Sequence, residues 1–287
     1  MHGVAKLHEK RRVNAADATV AETWAALERR VPQVAPFMNA QNVSNAAWAY
    51  ATLGVSPGAE AWAALERRVP QVALDMTPQN TCNTVWAYAK LNISPGAEAL
   101  AALDRAAAHL APDMNSQQVA NMVWGLAILS ILRGVQFPVS HAAVWDRVAS
   151  SMDARDFTDE GLCQLFHAHL MHQRLSPPGS IPAASSLNMP AWVMVEARDM
   201  WMRSVRNCLT TDSHMQLADV IGELGVRHEV ERLTDDGYFS MDIYLPDHDV
   251  AVEYDGPFHY YYHSSSDATS DARRLDLSSP TSWSTSM

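Results

Sequence analysis

Apolar residues between positions 41 and 53 recur at intervals of three and four, which is the spacing of one face of an α-helix. That face consists of Val43, Ala46, Ala47, Tyr50 and Leu53. The same pattern returns at 79–91 and at 117–129, each time 38 residues further along the chain. A residue that favours helix N-termini stands before each stretch: Asn39, Thr77 and Asn115. The pattern predicts three equivalent helices.

A second helical pattern lies between these stretches. The eleven residues that start at Trp24 return without change 38 residues later. Pro57 and Pro95 stand where this helix should start, and Pro32 and Pro70 where it should end, because proline lacks the N–H that a helix interior uses. A single helix pair cannot bury its apolar side alone. We therefore predict a mainly α-helical chain, with a helix-turn-helix repeat solenoid of 38-residue units.

The period is lost after Leu129. Extra residues at 131–138 shift the register, and 140–150 predicts a shortened first helix. The apolar face of a capping unit follows, formed by Phe157, Leu162, Leu165, Phe166 and Leu170. We assign residues 1–175 to the repeat array. The Ser-, Pro- and Ala-rich stretch at 176–190 predicts a linker.

Two helical patterns and three alternating patterns follow the linker. The helices are expected at 192–205 and 213–224, and antiparallel strands at 226–233, 240–245 and 250–255. These elements predict a small domain at 191–263. The Ser/Thr/Asp-rich residues 264–287 have no periodicity and predict a disordered tail.

The turn at 246–249 determines how the last two strands pair. It places Asp242 opposite Glu253, and Asp255 lies two residues further on the same face. The opposite face is predicted to be buried and consists of Met241, Ile243, Leu245, Val250, Val252 and Tyr254. Like charges that face each other destabilise a sheet, so the three carboxylates require a counter-charge. A divalent metal ion, Mg²⁺ or Mn²⁺, would supply it.

Such a metal site would be suited to hydrolysis of a phosphodiester, with the three carboxylates as ligands and His259 as acid or base. The alternative is a scaffold that serves only for binding or docking. A further group of histidines lies on one predicted helix at His167, His169 and His172. Two of them point apart on a helix, so we predict surface residues rather than a metal site.

The acidic residues are unevenly distributed. Residues 1–175 hold 14 Lys+Arg and 15 Asp+Glu, whereas 176–287 hold 7 and 17. A basic stripe for a polyanion could therefore only be local and in the repeats. Cys82, Cys163 and Cys208 have no paired spacing, which argues against a disulfide framework and indicates a reducing compartment. No apolar run has the length of a membrane span, and no transit peptide is evident.

The repeats resemble octotricopeptide repeats, the 38-residue units of green-algal organelle RNA-binding proteins. The pattern Gln-Asn-x-x-Asn-x-x-Trp-Ala-x-Ala-x-Leu at 41–53 and 79–91 carries the resemblance, with a variant at 117–129. The C-terminal part resembles the RAP-domain family, which includes the FAST-kinase-domain proteins of mitochondria. The matching residues lie at 224–231, 237–242 and 250–259, and the RAP block covers about 249–263.

This resemblance implies a chloroplast or mitochondrial factor that binds single-stranded RNA and acts in RNA processing, stability or translation. Its partners would include other RNA-processing or ribosome-assembly proteins. The second domain would be α+β and restriction-endonuclease-like. The closing part of a RAP domain is not recognisable at 264–287. We therefore expect this domain to be truncated.

By analogy with proteins that bind one base per repeat, positions that differ between repeats are candidates for base recognition. A residue identical in every unit cannot tell one base from another. The variable positions are Ala40, Pro78 and Ser116, then Ser44, Cys82 and Ala120, then Thr52, Lys90 and Ile128. Candidates for phosphate contacts are Arg29, Arg30, Arg67, Arg68 and Lys90, for which the alternative is a solvated helix face.

Two sets of residues are identical in the three repeats. We expect the amides of Asn45, Asn83 and Asn121 to bond the backbone of the neighbouring repeat, because buried polar groups find partners. The tryptophans Trp48, Trp86 and Trp124 are expected in the core.

Because of the resemblance to RNA-binding repeats, RNA binding is the main hypothesis. The alternatives are a metal-dependent ribonuclease that uses Asp242, Glu253 and Asp255, and a protein-docking helical scaffold, which the near-neutral repeats favour.

Overall fold

The computed structural model describes residues 18–137, 139–175, 190–206 and 212–253. The chain divides into two compact units, Met1–Arg198 and Asp199–Met287. The first unit is helical, and the second combines helices with a three-stranded antiparallel sheet. The boundary lies eight residues later than position 191, where the second domain was predicted to begin. Within the described ranges, no helix has both the length and the apolar character that crossing a membrane requires.

We number the successive groups of described helices in the first unit as repeats 1 to 4; repeat 1 has three helices, and each of the others has two. Repeat 1 contains α1 (Ala18–Glu28), α2 (Val31–Val34) and α3 (Ala40–Leu53). Repeat 2 contains α4 (Ala59–Val72) and α5 (Pro78–Lys90), and repeat 3 contains α6 (Ala97–Leu110) and α7 (Ser116–Arg133). Repeat 4 contains α8 (Ser140–Ser151) and α9 (Asp159–Leu175). Short 3-10 turns join the helices within each repeat.

The helix termini follow the sequence signals at the second helices, whereas the first helices of repeats 2 and 3 begin two residues after Pro57 and Pro95. The side chains of Asn39, Thr77 and Asn115 each accept a hydrogen bond from the backbone N–H three residues later, as predicted. Pro70, however, lies inside α4 and does not end it. A proline removes one backbone hydrogen bond and crowds the carbonyl four residues earlier, and α4 continues for only two residues beyond it.

The helices pack in two layers. The second helices α3, α5, α7 and α9 each contact the next in line, and so do the first helices α2, α4, α6 and α8. Small residues at one repeated position allow the second helices to approach closely: Ala49, Ala87 and Gly125. A Cβ atom at Gly125 would lie 3.1 Å from the Val85 Cγ1 atom. The two layers enclose the core.

Aromatic residues connect the first two repeats through this core. Trp24, Tyr50, Trp62 and Tyr88 form a continuous series of edge-to-face contacts, with ring centroids 5.0, 6.3 and 5.0 Å apart. All four side chains are buried. Edge-to-face pairs contribute about 0.5–1.5 kcal/mol each beyond the area that they bury. The repeated tryptophans and tyrosines therefore stabilise the stack as well as each unit.

Repeat 4 departs from the 38-residue period. The residues that contact the repeated positions of α7 lie 43 residues further on: Gln164 bonds Asn121, and His167 bonds Trp124. The predicted shift of register after Leu129 is therefore confirmed. The predicted apolar face of this unit is buried and includes Leu165 and Phe166.

The second unit contains α10 (Arg198–Arg206, which begins at the boundary), α11 (Asp212–Glu223) and the strands β1 (Glu229–Leu233), β2 (Ser240–Leu245) and β3 (Val250–Val252). The strands lie in the order β1-β2-β3, and both pairs are antiparallel. The indole Nε1 of Trp201 donates to the Tyr238 carbonyl at 2.8 Å, which fixes α10 to the loop between β1 and β2.

The predicted pairing of β2 with β3 is confirmed. Ile243 pairs with Val252 and Leu245 with Val250, which is the register that the turn at 246–249 predicted. The prediction of a buried apolar face is wrong in part. Ile243 is fully buried, but Val250 is 44% exposed because it belongs to a three-residue edge strand. Tyr254, the tail at 264–287 and all but the last residue of the predicted linker at 176–190 lie outside the described residues.

Candidate functional site

A polar groove of the first unit lies along its second helices. Each of the first three repeats places a glutamine, an asparagine and a tryptophan at spacings of four and three residues on its second helix, hence on one helical face. Successive repeats therefore set equivalent side chains next to each other.

These side chains line a groove with a volume of about 540 Å³, which we call the carboxamide groove. Its repeated members are Gln41, Asn45, Trp48, Gln79, Asn83, Gln117 and Asn121. The remaining lining residues are Asn80, Cys82, Asn115 and Gln118. No residue of the lining is charged. The groove therefore offers hydrogen-bond donors and acceptors in a neutral environment.

The repeated amides have few partners within the protein. The side chains of Asn45 and Asn83 are half-buried, and neither is hydrogen-bonded to any other described residue. Asn121 accepts a hydrogen bond from Gln164 Nε2 at 3.0 Å. The expectation that these amides bond the neighbouring backbone is therefore wrong for this part of the chain. Both amides face the groove, where they can bond water or a ligand.

The other amides of the groove have a structural role. Asn80 Nδ2 donates to Ser44 Oγ of the preceding repeat at 3.1 Å, and its Oδ1 accepts the Thr77 N–H. Asn115 and Gln118 cap the start of α7 reciprocally, at 3.0 Å in both directions. Asn80, Asn115 and Gln118 therefore have hydrogen-bond partners within the protein, whereas Asn45 and Asn83 have none among the described residues.

The tryptophans were predicted to lie in the core, and this holds only for Trp124. Its side chain is 5% exposed, and its Nε1 donates to His167 Nδ1 at 3.3 Å. Trp48 and Trp86 are half-buried, and Trp48 lines the carboxamide groove. A half-exposed indole at the wall of a polar groove is a candidate for stacking with a planar group.

Five of the nine variable positions are buried, including Cys82, which forms part of the groove wall. Ala40, Ser44, Cys82, Ala120 and Ile128 are 5%, 0%, 1%, 0% and 0% exposed. Their prediction as base-recognition residues is therefore wrong. Ser44 and Cys82 lie one position before Asn45 and Asn83, and this rotation about the helix turns them towards the next repeat. The Cys82 Sγ atom donates to the Gln118 carbonyl at 3.3 Å.

The remaining predicted contact residues do not line the groove. Thr52, Pro78, Lys90 and Ser116 are half-buried, and they lie outside its lining. Arg29, Arg30 and Arg67 are exposed, but they also lie outside it. The Nε of Arg68 in repeat 2 donates to the Met38 carbonyl in repeat 1 at 2.8 Å, so this guanidinium links the two repeats. The carboxamide groove thus contains none of the predicted phosphate-binding cations.

The histidines of α9 are buried, which corrects their prediction as surface residues. His167, His169 and His172 are 4%, 9% and 5% exposed, and the ring of His172 lies 4.9 Å from that of buried His141. Burial lowers the pKa of His141, His167 and His172 to about 4. These imidazoles pack in the core as neutral groups.

The structure includes part of the predicted carboxylate site. Continuing the β2–β3 register sets Asp242 opposite Glu253, and the β1–β2 register sets Glu231 opposite Asp242 on its other side. Glu231 was not among the carboxylates that the sequence predicted for this site. Its Oε2 accepts the Ser240 hydroxyl at 2.9 Å. Among the described residues no three acidic, histidine or cysteine side chains form a group that could hold a metal ion. Asp255 and His259 lie outside those residues.

Comparison with known proteins gives no assignment. No protein-family model matches the chain, and a search of curated proteins gives no match. The candidate function therefore depends on the groove itself and on the motif resemblance.

Proposed function

We propose that the protein binds single-stranded RNA along the carboxamide groove of a solenoid built from its helix pairs. The observation that carries this proposal is the pair of half-buried amides, Asn45 and Asn83, which have no hydrogen-bond partner in the described structure. The same side chain presented by neighbouring repeats suits a ligand that is itself a chain of similar units.

The chemistry of the groove suits unpaired nucleotides. A carboxamide donates two hydrogen bonds and accepts two, and the exposed edges of bases combine donors and acceptors in the same way. Unpaired bases also stack on aromatic side chains, which contribute about 1–3 kcal/mol per base. Trp48 provides such a surface beside Asn45. Paired bases would not present their Watson–Crick edges, so single strands are the preferred ligand.

The proposed biological role follows from the motif resemblance. Octotricopeptide-like repeats joined to a RAP-like segment support action in the processing, stability or translation of chloroplast or mitochondrial RNA. The same resemblance supports RNA-processing or ribosome-assembly proteins as further partners. A groove that spans three repeats would contact few nucleotides, so partners would be needed to select one transcript.

Fluorescence anisotropy with labelled single-stranded RNA and duplex DNA tests the proposal. The double variant Asn45→Ala/Asn83→Ala should lose most of the affinity for RNA. Asn42→Ala is the matched control, because Asn42 is an exposed asparagine of the same helix that does not line the groove. Absence of RNA binding at low salt, or equal binding of duplex DNA, contradicts the proposal.

The neutral lining favours a second candidate function, the docking of an extended peptide. Peptide N–H and C=O groups match carboxamides as well as base edges do, and no lining residue provides a charge for phosphates. Affinity purification with and without RNase treatment separates the two functions. Partners that remain bound after RNase treatment, and that Asn45→Ala/Asn83→Ala releases, would favour the docking scaffold.

The metal-dependent ribonuclease stays a prediction. Its test is incubation of labelled RNA with Mg²⁺ or Mn²⁺ and the full chain. Cleavage that survives Asp242→Ala would exclude the predicted carboxylate site as its source.

A further inference from the structure

The first helix of repeats 2, 3 and 4 packs on both layers of the repeat before it. α4 contacts α2 and α3, α6 contacts α4 and α5, and α8 contacts α6 and α7. The layer of first helices therefore grows by one helix at each step. Each new helix covers one face of the first helix that precedes it.

An acidic residue on the covered face accepts a backbone hydrogen bond from the start of the incoming helix. The first N–H groups of an α-helix have no partner within the helix, and its N-terminal end carries a partial positive charge, so a carboxylate is suited to this position. Asp104, in repeat 3, is only 6% exposed beneath the start of α8. The three pairs of acceptor and donor are Glu28 with Gly58, Glu66 with Gly96, and Asp104 with Ser140.

Repeat 4 carries the same acidic residue in an exposed position. Leu-Glu-Arg at 27–29 and 65–67, and Leu-Asp-Arg at 103–105, return as Trp-Asp-Arg at 145–147. Leu103 and Trp145 are 0% and 1% exposed, so the two positions have the same place in the core. Asp146 is exposed, and its carboxylate has no hydrogen bond or ion pair with any other described residue.

The two layers of the solenoid end differently after repeat 4. In the layer of second helices, the π-helical segment Val193–Ala197 packs on α9. In the layer of first helices, the described elements with extensive contacts to α8 are α6, α7 and the turn Ala111–Asp113, all from repeat 3. The sequence after α9 predicts a linker rather than a further first helix, because it contains Pro177, Pro178 and Pro182.

The shape of α8 around Asp146 matches that of the earlier first helices. Ala143 and Ser150 lie three residues before and four residues after Asp146, hence on the same helical face. Small side chains at these positions let a neighbouring helix approach closely. The equivalent residues are Ala63 and Pro70 in α4, and Ala101 and Ala108 in α6.

We propose that this surface of Ala143, Asp146 and Ser150, which we call the α8 face, binds the N-terminal turn of an α-helix from a partner protein. The helix takes the place that the first helix of a fifth repeat would have. It begins with glycine or serine, as the first helices of repeats 2 to 4 do, and donates a backbone N–H to the Asp146 carboxylate. The α8 face continues the interface that joins the repeats, and its use is independent of RNA binding in the carboxamide groove.

Fluorescence anisotropy with a labelled helical peptide and the full chain tests this proposal. The probe is the sequence 96–110, which is α6 with its N-cap glycine, and N-acetylation keeps the amide N–H of that glycine. We expect saturable binding to the wild type and at least about tenfold weaker binding to Asp146→Ala, because a hydrogen bond to a carboxylate is lost. Asp75→Ala is the matched control, since Asp75 is an exposed aspartate of repeat 2, and it should bind like the wild type.

A second peptide isolates the proposed hydrogen bond. Sarcosine in place of the first glycine replaces the N–H by N–CH₃, so this peptide should bind the wild type as weakly as the first peptide binds Asp146→Ala. Absence of saturable binding, or equal binding of the first peptide to the wild type and to Asp146→Ala, overturns the proposal.

Two further measurements distinguish a partner helix from other occupants of the α8 face. Urea unfolding should give equal midpoints for Asp146→Ala and Asp75→Ala, whereas a lower midpoint for Asp146→Ala would mean that Asp146 holds a segment of its own chain. Sedimentation velocity should show no self-association that depends on Asp146. Self-association that Asp146→Ala abolishes would assign the face to a second copy and overturn the proposal.

Discussion

The Glu66 carboxylate of one repeat holds the start of the next repeat through Gly96. Its Oε1 accepts the Gly96 N–H at 2.8 Å and the Tyr88 hydroxyl at 3.2 Å. The preceding repeat does the same 38 residues earlier, where Glu28 Oε1 accepts the Gly58 N–H at 2.7 Å. Both glycines are N-cap residues, so each carboxylate also lies at the positive end of a helix dipole.

The third repeat keeps this contact with a shorter side chain. Asp104 is the residue 38 positions after Glu66, and it accepts the Ser140 N–H at 2.8 Å and the Ser140 hydroxyl at 2.7 Å. An acidic residue at this position therefore joins each of the first three repeats to its successor. Because neighbouring repeats stabilise each other, the stability of the array depends on these contacts.

Replacing Glu66 should destabilise the array. Glu66→Ala leaves the hydroxyl of buried Tyr88 without its acceptor, which costs about 1–3 kcal/mol, and it removes the bond to the exposed Gly96 N–H. Urea unfolding followed by circular dichroism measures it. Glu60→Ala is the control, because Glu60 is exposed and lies in the first turn of the same helix. Equal midpoints for the two variants would contradict this role.

The buried histidines predict a loss of stability in mild acid. His141, His167 and His172 have a pKa of about 4 in the folded protein, against an ordinary value of 6.5, because burial disfavours the charged imidazole. The unfolded chain therefore binds more protons between these values. Stability is complete above pH 6.5 and is lost as the pH falls towards 4, by up to about 3 kcal/mol per histidine.

Equilibrium unfolding at a series of pH values between 4 and 8 checks this prediction. The double variant His141→Leu/His172→Leu should unfold with a weaker dependence on pH across that window. His109→Leu removes an imidazole from an exposed position of α6 and serves as the control. A wild-type unfolding free energy that stays constant between pH 6.5 and 4 would show that these imidazoles are not buried in solution.

Affinity for RNA should depend only weakly on salt. Each phosphate that a protein neutralises adds about 0.7 to the slope of log K against log salt for single strands. Since the carboxamide groove has no lining cation, we expect a slope smaller than about 1. Anisotropy titrations between low and physiological salt measure it, and Arg67→Ala should leave it unchanged. A slope of about 3 or more would place the phosphates on arginines instead.

Trp48→Ala should weaken RNA binding about tenfold, which is within the range for loss of one stacked base. Trp48→Phe keeps an aromatic face and should retain most of the affinity. The half-buried indole also packs against the protein, so thermal unfolding of both variants must accompany the titrations. If both variants bind equally well at matched stability, the indole does not stack on the ligand.

The amino-acid sequence alone determined the secondary structure of the repeats and the pairing of the hairpin. A period of 38 residues, N-cap residues before each second helix, and alternation across the turn at 246–249 act over short distances, so they can be recognised without the fold. The shift of register before repeat 4 was visible for the same reason. Only its size, a step of 43 residues, required the contacts of Asn121 and Trp124.

Tertiary structure decided which side chains face the ligand. Ser44 and Asn45 are adjacent in sequence. Ser44 is buried against the next repeat, whereas Asn45 faces the open groove. A helix turns about 100° per residue, so the stacking direction decides which neighbour is buried. The sequence shows which residues repeat, but not where the neighbouring repeat lies. Identity in every repeat predicts a structural role for these amides, whereas the packing of the second helices leaves Asn45 and Asn83 facing the groove, without a partner among the described residues.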